Sequence, residues 1–103
     1  MTGRKADTIV SGGENVAPVE VEAVLEAHPH VLEAAVLGRT DARWGEAVTA
    51  IVVARPGMTL DGEALRAHCG ARLAGYKVPK TFELIGRPLP RTRSGKLLRR
   101  ALR

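Results

Sequence analysis

Apolar positions recur along this chain at two different periods, and the switches between them mark its elements. In "APVEVEAVLEAHPHV", Val21, Val24 and Leu25 fall on one face at helical spacing, behind Pro18 and the acidic residues of a first turn. His28-Pro29 is expected to stop that helix. "VLEAAVLGRTD" and "EAVTAIVVAR" are short and rich in Val, Ala and Ile, so they predict two neighbouring strands of one sheet, joined by the polar loop "RTDARWGE". Ahead of all three, Ile9 and Val10 precede Gly12-Gly13, where φ > 0 is expected, and this predicts a short hairpin.

The second half repeats the alternation. A Pro-Gly turn in "RPGMTLDGEALRAHCGARLAGYKVP" leads through Leu60 and Asp61 into a helix that presents Leu65, Cys69 and Leu73 to the core and ends by Gly75 and Pro79. "KTFELIGRPLP" reads as a last strand. "SGKLLRRALR" reads as a last helix, capped by Ser94 and burying Leu97, Leu98 and Leu102. The order hairpin, helix, strand, strand, helix, strand, helix predicts an α+β fold, a small sheet with helices packed on it, preceded by a short β-hairpin. At 103 residues the chain holds one domain, residues 1–103.

Composition narrows the picture. The apolar fraction of 45% rests on aliphatic residues, and Trp44, Tyr76 and Phe82 are the aromatics, so the expected core is aliphatic and modest. Cys69 is alone, which excludes a disulfide framework and a cysteine metal site, and predicts a small buried residue. His28, His30 and His68 have neither metal spacing nor an adjacent nucleophile and are read as core or surface histidines. No apolar run reaches membrane-spanning length and no signal-peptide pattern opens the chain, so a cytoplasmic protein without a membrane span is expected.

The net charge of +5 points to nucleic acid only until it is located. Seven basic residues and no acidic one lie from Arg87 onward, which leaves the remainder slightly acidic. That tail has no aromatic residue, whereas sequence-tolerant nucleic-acid binders pair basic grooves with aromatic platforms. Nucleic acid is therefore not expected as a partner.

Three stretches in order, "GRKADTIVSGGENVAPVEVE", "DARWGEAVTAIVV" and "PRTRSGKLLRRALR", are together similar to the C-terminal domain of adenylate-forming acyl-CoA synthetases. The resemblance covers nearly the whole chain. It implies a large N-terminal domain as partner, ATP with Mg2+ and coenzyme A as cofactors bound mainly with that domain, and a carboxylic acid substrate. It implies two half-reactions: adenylation of the acid, then thioester formation after the small domain has rotated. The isolated domain would be inactive. A start at "MT" just before "GR" is expected for a domain excised at the family's hinge. Fatty, aromatic and succinylbenzoate-type acids all fit, so fatty acid metabolism is one compatible setting. A domain that loads a carrier protein is the alternative, although "SGGENV" looks more like a coenzyme A ligase hairpin.

The resemblance also assigns residues. Lys96 matches the catalytic lysine, and a point-charge ammonium on a flexible stem suits charge developing on phosphate and carboxylate oxygens. Its bland alternative is a solvated lysine at a helix start, where the dipole disfavours a cation. Gly95 lets the backbone approach, and Thr92 and Ser94 hold the turn. Gly13 matches the glycine that leaves room for pantetheine, with Ser11 and Gly12 shaping the turn. Glu14 and Asn15 are read as hairpin or interface residues. Trp44 matches a tryptophan that stacks on the adenine of coenzyme A, against the bland reading of a rim residue. Tyr76 and Lys77 lie where relatives place groups near the same nucleotide. Ala6 stands at the hinge, where relatives carry Asp or Lys, and Asp7 follows it. Arg4 and Arg91 are expected near the nucleotide and its phosphates, with Arg93, Arg99 and Arg100 around Lys96. No metal ligand is assigned.

Overall fold

The computed structural model describes residues 8–43 and 45–102. Two three-residue strands, β1 (Ile9–Ser11) and β2 (Glu14–Val16), form the opening hairpin. Helix α1 (Pro18–Glu26) leads to the long strands β3 (Val31–Asp41) and β4 (Gly45–Ala54), paired antiparallel over their whole length. Helix α2 (Gly62–Gly70) and a 3-10 turn (Gly75–Lys77) return the chain to β5 (Thr81–Ile85), which runs parallel to β4. A second 3-10 turn, Arg99–Leu102, ends the described chain.

Strand β4 is the centre of this five-stranded sheet. It has β3 on one edge, and its other edge is shared by β1 at Gly45 and β5 from Thr49 to Val53. The near-continuous apolar runs of β3 and β4 follow, because both faces are covered. Ala34, Val36, Val48, Ala50 and Val52 face the helices and pack with Val21, Leu25, Leu65 and Cys69. Ala35, Leu37, Ile51 and Val53 face the other way and are covered by Leu89, Leu97 and Leu102. The α+β class and the leading hairpin are as expected, with one parallel pair making the sheet mixed.

Each helix starts where its sequence says. Pro18 occupies the first turn of α1, and the Asp61 carboxylate caps α2 by accepting the Glu63 N–H at 3.2 Å. Helix α1 also covers the free edge of β3. Glu22 accepts the Val36 N–H at 2.8 Å and Glu26 that of Ala34 at 3.4 Å, so two edge donors are closed to other strands. Helix α2 ends at Gly70, earlier than its periodicity predicts, and Leu73 packs on the core from beyond it.

The last element departs from expectation. "SGKLLRRALR" is not an α-helix: residues 90–92 fold back on 96–98, with an Arg91–Leu97 bridge, Thr92 N–H to the Lys96 carbonyl at 2.8 Å and Leu98 N–H to that of Pro90 at 2.9 Å. Gly95 turns the corner at φ +91°, which no helix allows. Leu97, from the extended turn, and Leu102, from the 3-10 turn, pack on the sheet as predicted, whereas Leu98 is not part of that core.

Candidate active site

Two loops carry the residues with chemical promise. In the hairpin, Gly12 (φ 59°) and Gly13 (φ 85°) both take positive φ, as a two-residue turn matched to strand twist requires. A Cβ on Gly13 would meet nothing within 4 Å, so the position is open as well as left-handed. The hairpin is fastened to the sheet twice: Ser11 pairs with Gly45, and Glu46 Oε1 accepts the Val10 N–H at 2.8 Å.

The second loop presents Lys96. Thr92 organises it, its hydroxyl accepting the Lys96 N–H at 3.0 Å and its carbonyl accepting the Gly95 N–H at 2.9 Å, while Ser94 Oγ lies 3.0 Å from the Thr92 hydroxyl. Lys96 is exposed, and its ammonium pairs with no group among the described residues. No α-helix begins at this lysine, so no helix dipole opposes the charge.

Arg91 ties the loop to the sheet. One arm of its guanidinium donates to Glu33 Oε1 at 2.6 Å and the other to the Gly95 carbonyl at 3.0 Å. Glu33 also accepts the Leu89 N–H at 3.0 Å. Burial alone would raise the Glu33 carboxyl, but the Arg91 hydrogen bond, the Leu89 N–H and the Arg91 charge outweigh it and hold the group below its ordinary range. Farther along the tail, Arg39 pairs with Glu83 and donates to the Leu102 carbonyl at 3.0 Å.

Tyr76 and Lys77 sit on the 3-10 turn beside β2. Tyr76 is exposed, and Lys77 Nζ donates to both Glu20 oxygens, at 2.9 and 3.0 Å, which raises its pKa. Lys77 is thus an ion-pair partner of α1 here. The three histidines meet instead of scattering. The His28 ring lies edge-on to those of His30 and His68, at centroid distances of 5.3 and 5.1 Å, and His68 Nε2 donates to the Val24 carbonyl at 2.7 Å. Among the described residues no group of three His, Cys, Asp or Glu could hold a metal ion. Arg4, Ala6, Asp7 and Trp44, all assigned roles above, lie outside the described residues.

The sequence reading missed Glu33, Arg39 and Glu46, the groups that hold these loops. Glu33 carries one sequence signal, a charge interrupting an apolar strand, whereas Arg39 and Glu46 sit at the polar strand ends.

A family profile described as "AMP-binding enzyme C-terminal domain" matches residues 20–96. The chain belongs to that family. This AMP-binding enzyme C-terminal domain is 50% identical over 99 residues to the 2-succinylbenzoate–CoA ligase of Bacillus licheniformis, covering 96% of this chain and 20% of the ligase. It is also 50% identical over 100 residues to a feruloyl-CoA synthase of Amycolatopsis sp, covering 97% of this chain and 20% of that protein. Among solved structures it resembles the o-succinylbenzoate CoA synthetase of Bacillus subtilis in complex with its acyl-adenylate intermediate, with a TM-score of 0.88 and 45% identity over 95% of this chain and 20% of that one. The chain therefore spans about a fifth of the length of the curated relatives it matches. No helix among its described residues is long and apolar enough to cross a membrane.

Proposed function

We propose that residues 1–103 form the mobile C-terminal domain of a cytosolic, AMP-forming acid–thiol ligase whose large N-terminal domain holds most of the ATP, Mg2+ and coenzyme A contacts. In the first half-reaction a carboxylate attacks the α-phosphorus of ATP, giving acyl-adenylate and pyrophosphate. In the second, the coenzyme A thiol displaces AMP. The observation that carries this reading is Lys96, an exposed ammonium on a backbone-ordered glycine turn in a chain of this family. Such a group neutralises charge that builds only in the transition state.

The separation of the two loops supports a rotation between steps. Glu33 and Glu46, the anchors of the Lys96 turn and of the hairpin, stand near opposite ends of the β3–β4 ribbon, seven residue steps or roughly 24 Å apart along the strands. One substrate centre cannot meet both loops in a single orientation. Ala6 and Asp7 would absorb the rotation, after which Gly13 would border the pantetheine arm and Trp44, Tyr76 and Lys77 the coenzyme A nucleotide. Arg4 and Arg91 would lie toward ATP and its phosphates. The acid is set by the other domain, a view supported by two relatives of equal identity to this segment named for different acids.

The test uses the full-length protein carrying this segment. Lys96→Ala should lower pyrophosphate exchange by about 10²–10³-fold and leave thioester formation from supplied acyl-adenylate nearly intact. Equal loss of both half-reactions would overturn the reading. The isolated chain should make no thioester from acid, ATP and coenzyme A.

A further inference from the structure

We propose that Glu33 is a positioning residue for adenylation: through Arg91 it fixes where the backbone of Lys96 sits. The inference rests on the reading of Lys96 as the adenylation lysine. The chain of contacts is short and continuous. Glu33 Oε1 holds Arg91 Nη2 at 2.6 Å, Arg91 Nη1 holds the Gly95 carbonyl at 3.0 Å, and Gly95 is bonded to Lys96. The other side of the turn is closed by Thr92, which binds the Lys96 N–H through its hydroxyl and the Lys96 carbonyl through its own N–H. Arg91 is the polar link from this turn to the sheet, beside the apolar packing of Leu97.

The strand is shaped to make the contact. Val31 faces the helices, whereas Ala35 and Leu37 face the tail, and the change of side is made by the register shift between Val31 and Glu33. The irregularity places Glu33 on the tail face. Its side chain is only 14% exposed, against 41% for Arg91, so a carboxylate is kept where an apolar residue would continue the core at lower desolvation cost. A planar fork is required as well, since Arg91 must reach a carboxylate and a carbonyl at once.

A structural staple of the tail would use the same contacts, and kinetics separates the two. In the full-length protein, Glu33→Gln keeps an acceptor for the Leu89 N–H but loses the negative charge that faces Arg91, and Arg91→Lys keeps the positive charge but loses the fork. Each should lower kcat for adenylation by about tenfold, with the thioester half-reaction held within about twofold and, for Glu33→Gln, which is assigned no contact with ATP, the KM for ATP held within the same range. In a Lys96→Ala background, Glu33→Gln should add no further loss. If it adds its full factor there, or slows both half-reactions alike, Glu33 is a staple and the inference falls. If Lys96→Ala is crippled while Glu33→Gln and Arg91→Lys are normal, the inference alone falls. If Lys96→Ala itself adenylates normally, the functional reading falls and takes the inference with it.

Discussion

Gly38 and Glu46 lie diagonally across the β3–β4 pair, and the glycine makes room for the carboxylate: a Cβ on Gly38 would stand 2.9 Å from Glu46 Oε2 and 3.0 Å from Ile9 Cγ2. The other oxygen of the same carboxylate accepts the Val10 N–H. The missing side chain thus seats the opening hairpin on the sheet. Gly38→Ala should destabilise the chain by about 1–2 kcal/mol through overpacking, read from the urea midpoint. Amide exchange at Val10 should quicken more than exchange at Val36, which Glu22 holds independently. Uniform quickening would show that Gly38 serves the core generally.

Gly13 is open in space but closed in conformation. A leucine there meets no neighbour but must adopt φ near +85°, so Gly13→Leu should cost roughly 1–2 kcal/mol of stability. In the full-length protein it should block thioester formation and spare pyrophosphate exchange, opposite to Lys96→Ala. Survival of both half-reactions would remove Gly13 from the pantetheine path.

Cys69 should behave as an inert thiol. It is fully buried on α2, and burial raises its pKa, offset in part by the Arg72 charge, so the reactive thiolate is both scarce and inaccessible. A disulfide reagent such as DTNB should label the native chain at least about 100-fold more slowly than a free thiol and reach full rate only in denaturant. Rapid native labelling would contradict the packing of α2.

The histidine cluster should make stability fall in mild acid. His28 is held below the ordinary imidazole value by burial first, then by the charges of His68, His30 and Arg72. A base with a depressed folded pKa binds more protons when unfolded, so stability is complete above the unfolded value of about 6.5 and declines as pH drops below it. The melting temperature should therefore drop between pH 7.5 and 5, and His28→Gln should flatten that slope. Glu33 acts in a lower window. Its depressed carboxyl stabilises above the unfolded value of about 4.3 and loses that contribution as pH falls through the folded one, so Glu33→Gln should alter only the more acidic limb.

The elements set by local chemistry were legible in the chain. Pro18 and Asp61 start helices, Gly12-Gly13 turns a hairpin, and the Val, Ala and Ile runs of β3 and β4 make strands; those features depend on residues within one turn of each other. Family membership was legible too, because its motifs are contiguous. Lys96 stood out by motif, not by contact. What the tertiary structure decided is how that lysine is carried. Leu97, Leu98 and Leu102 fit helical spacing, but a second apolar face on the sheet, made by Ala35, Leu37, Ile51 and Val53, takes Leu97 from an extended turn and Leu102 from a 3-10 turn instead. The groups that hold the turn are far away in sequence, with Glu33 and Arg91 separated by 58 positions, and no local period can report such a pairing. Local propensity fixes what a segment can become, and burial against distant residues selects among the possibilities.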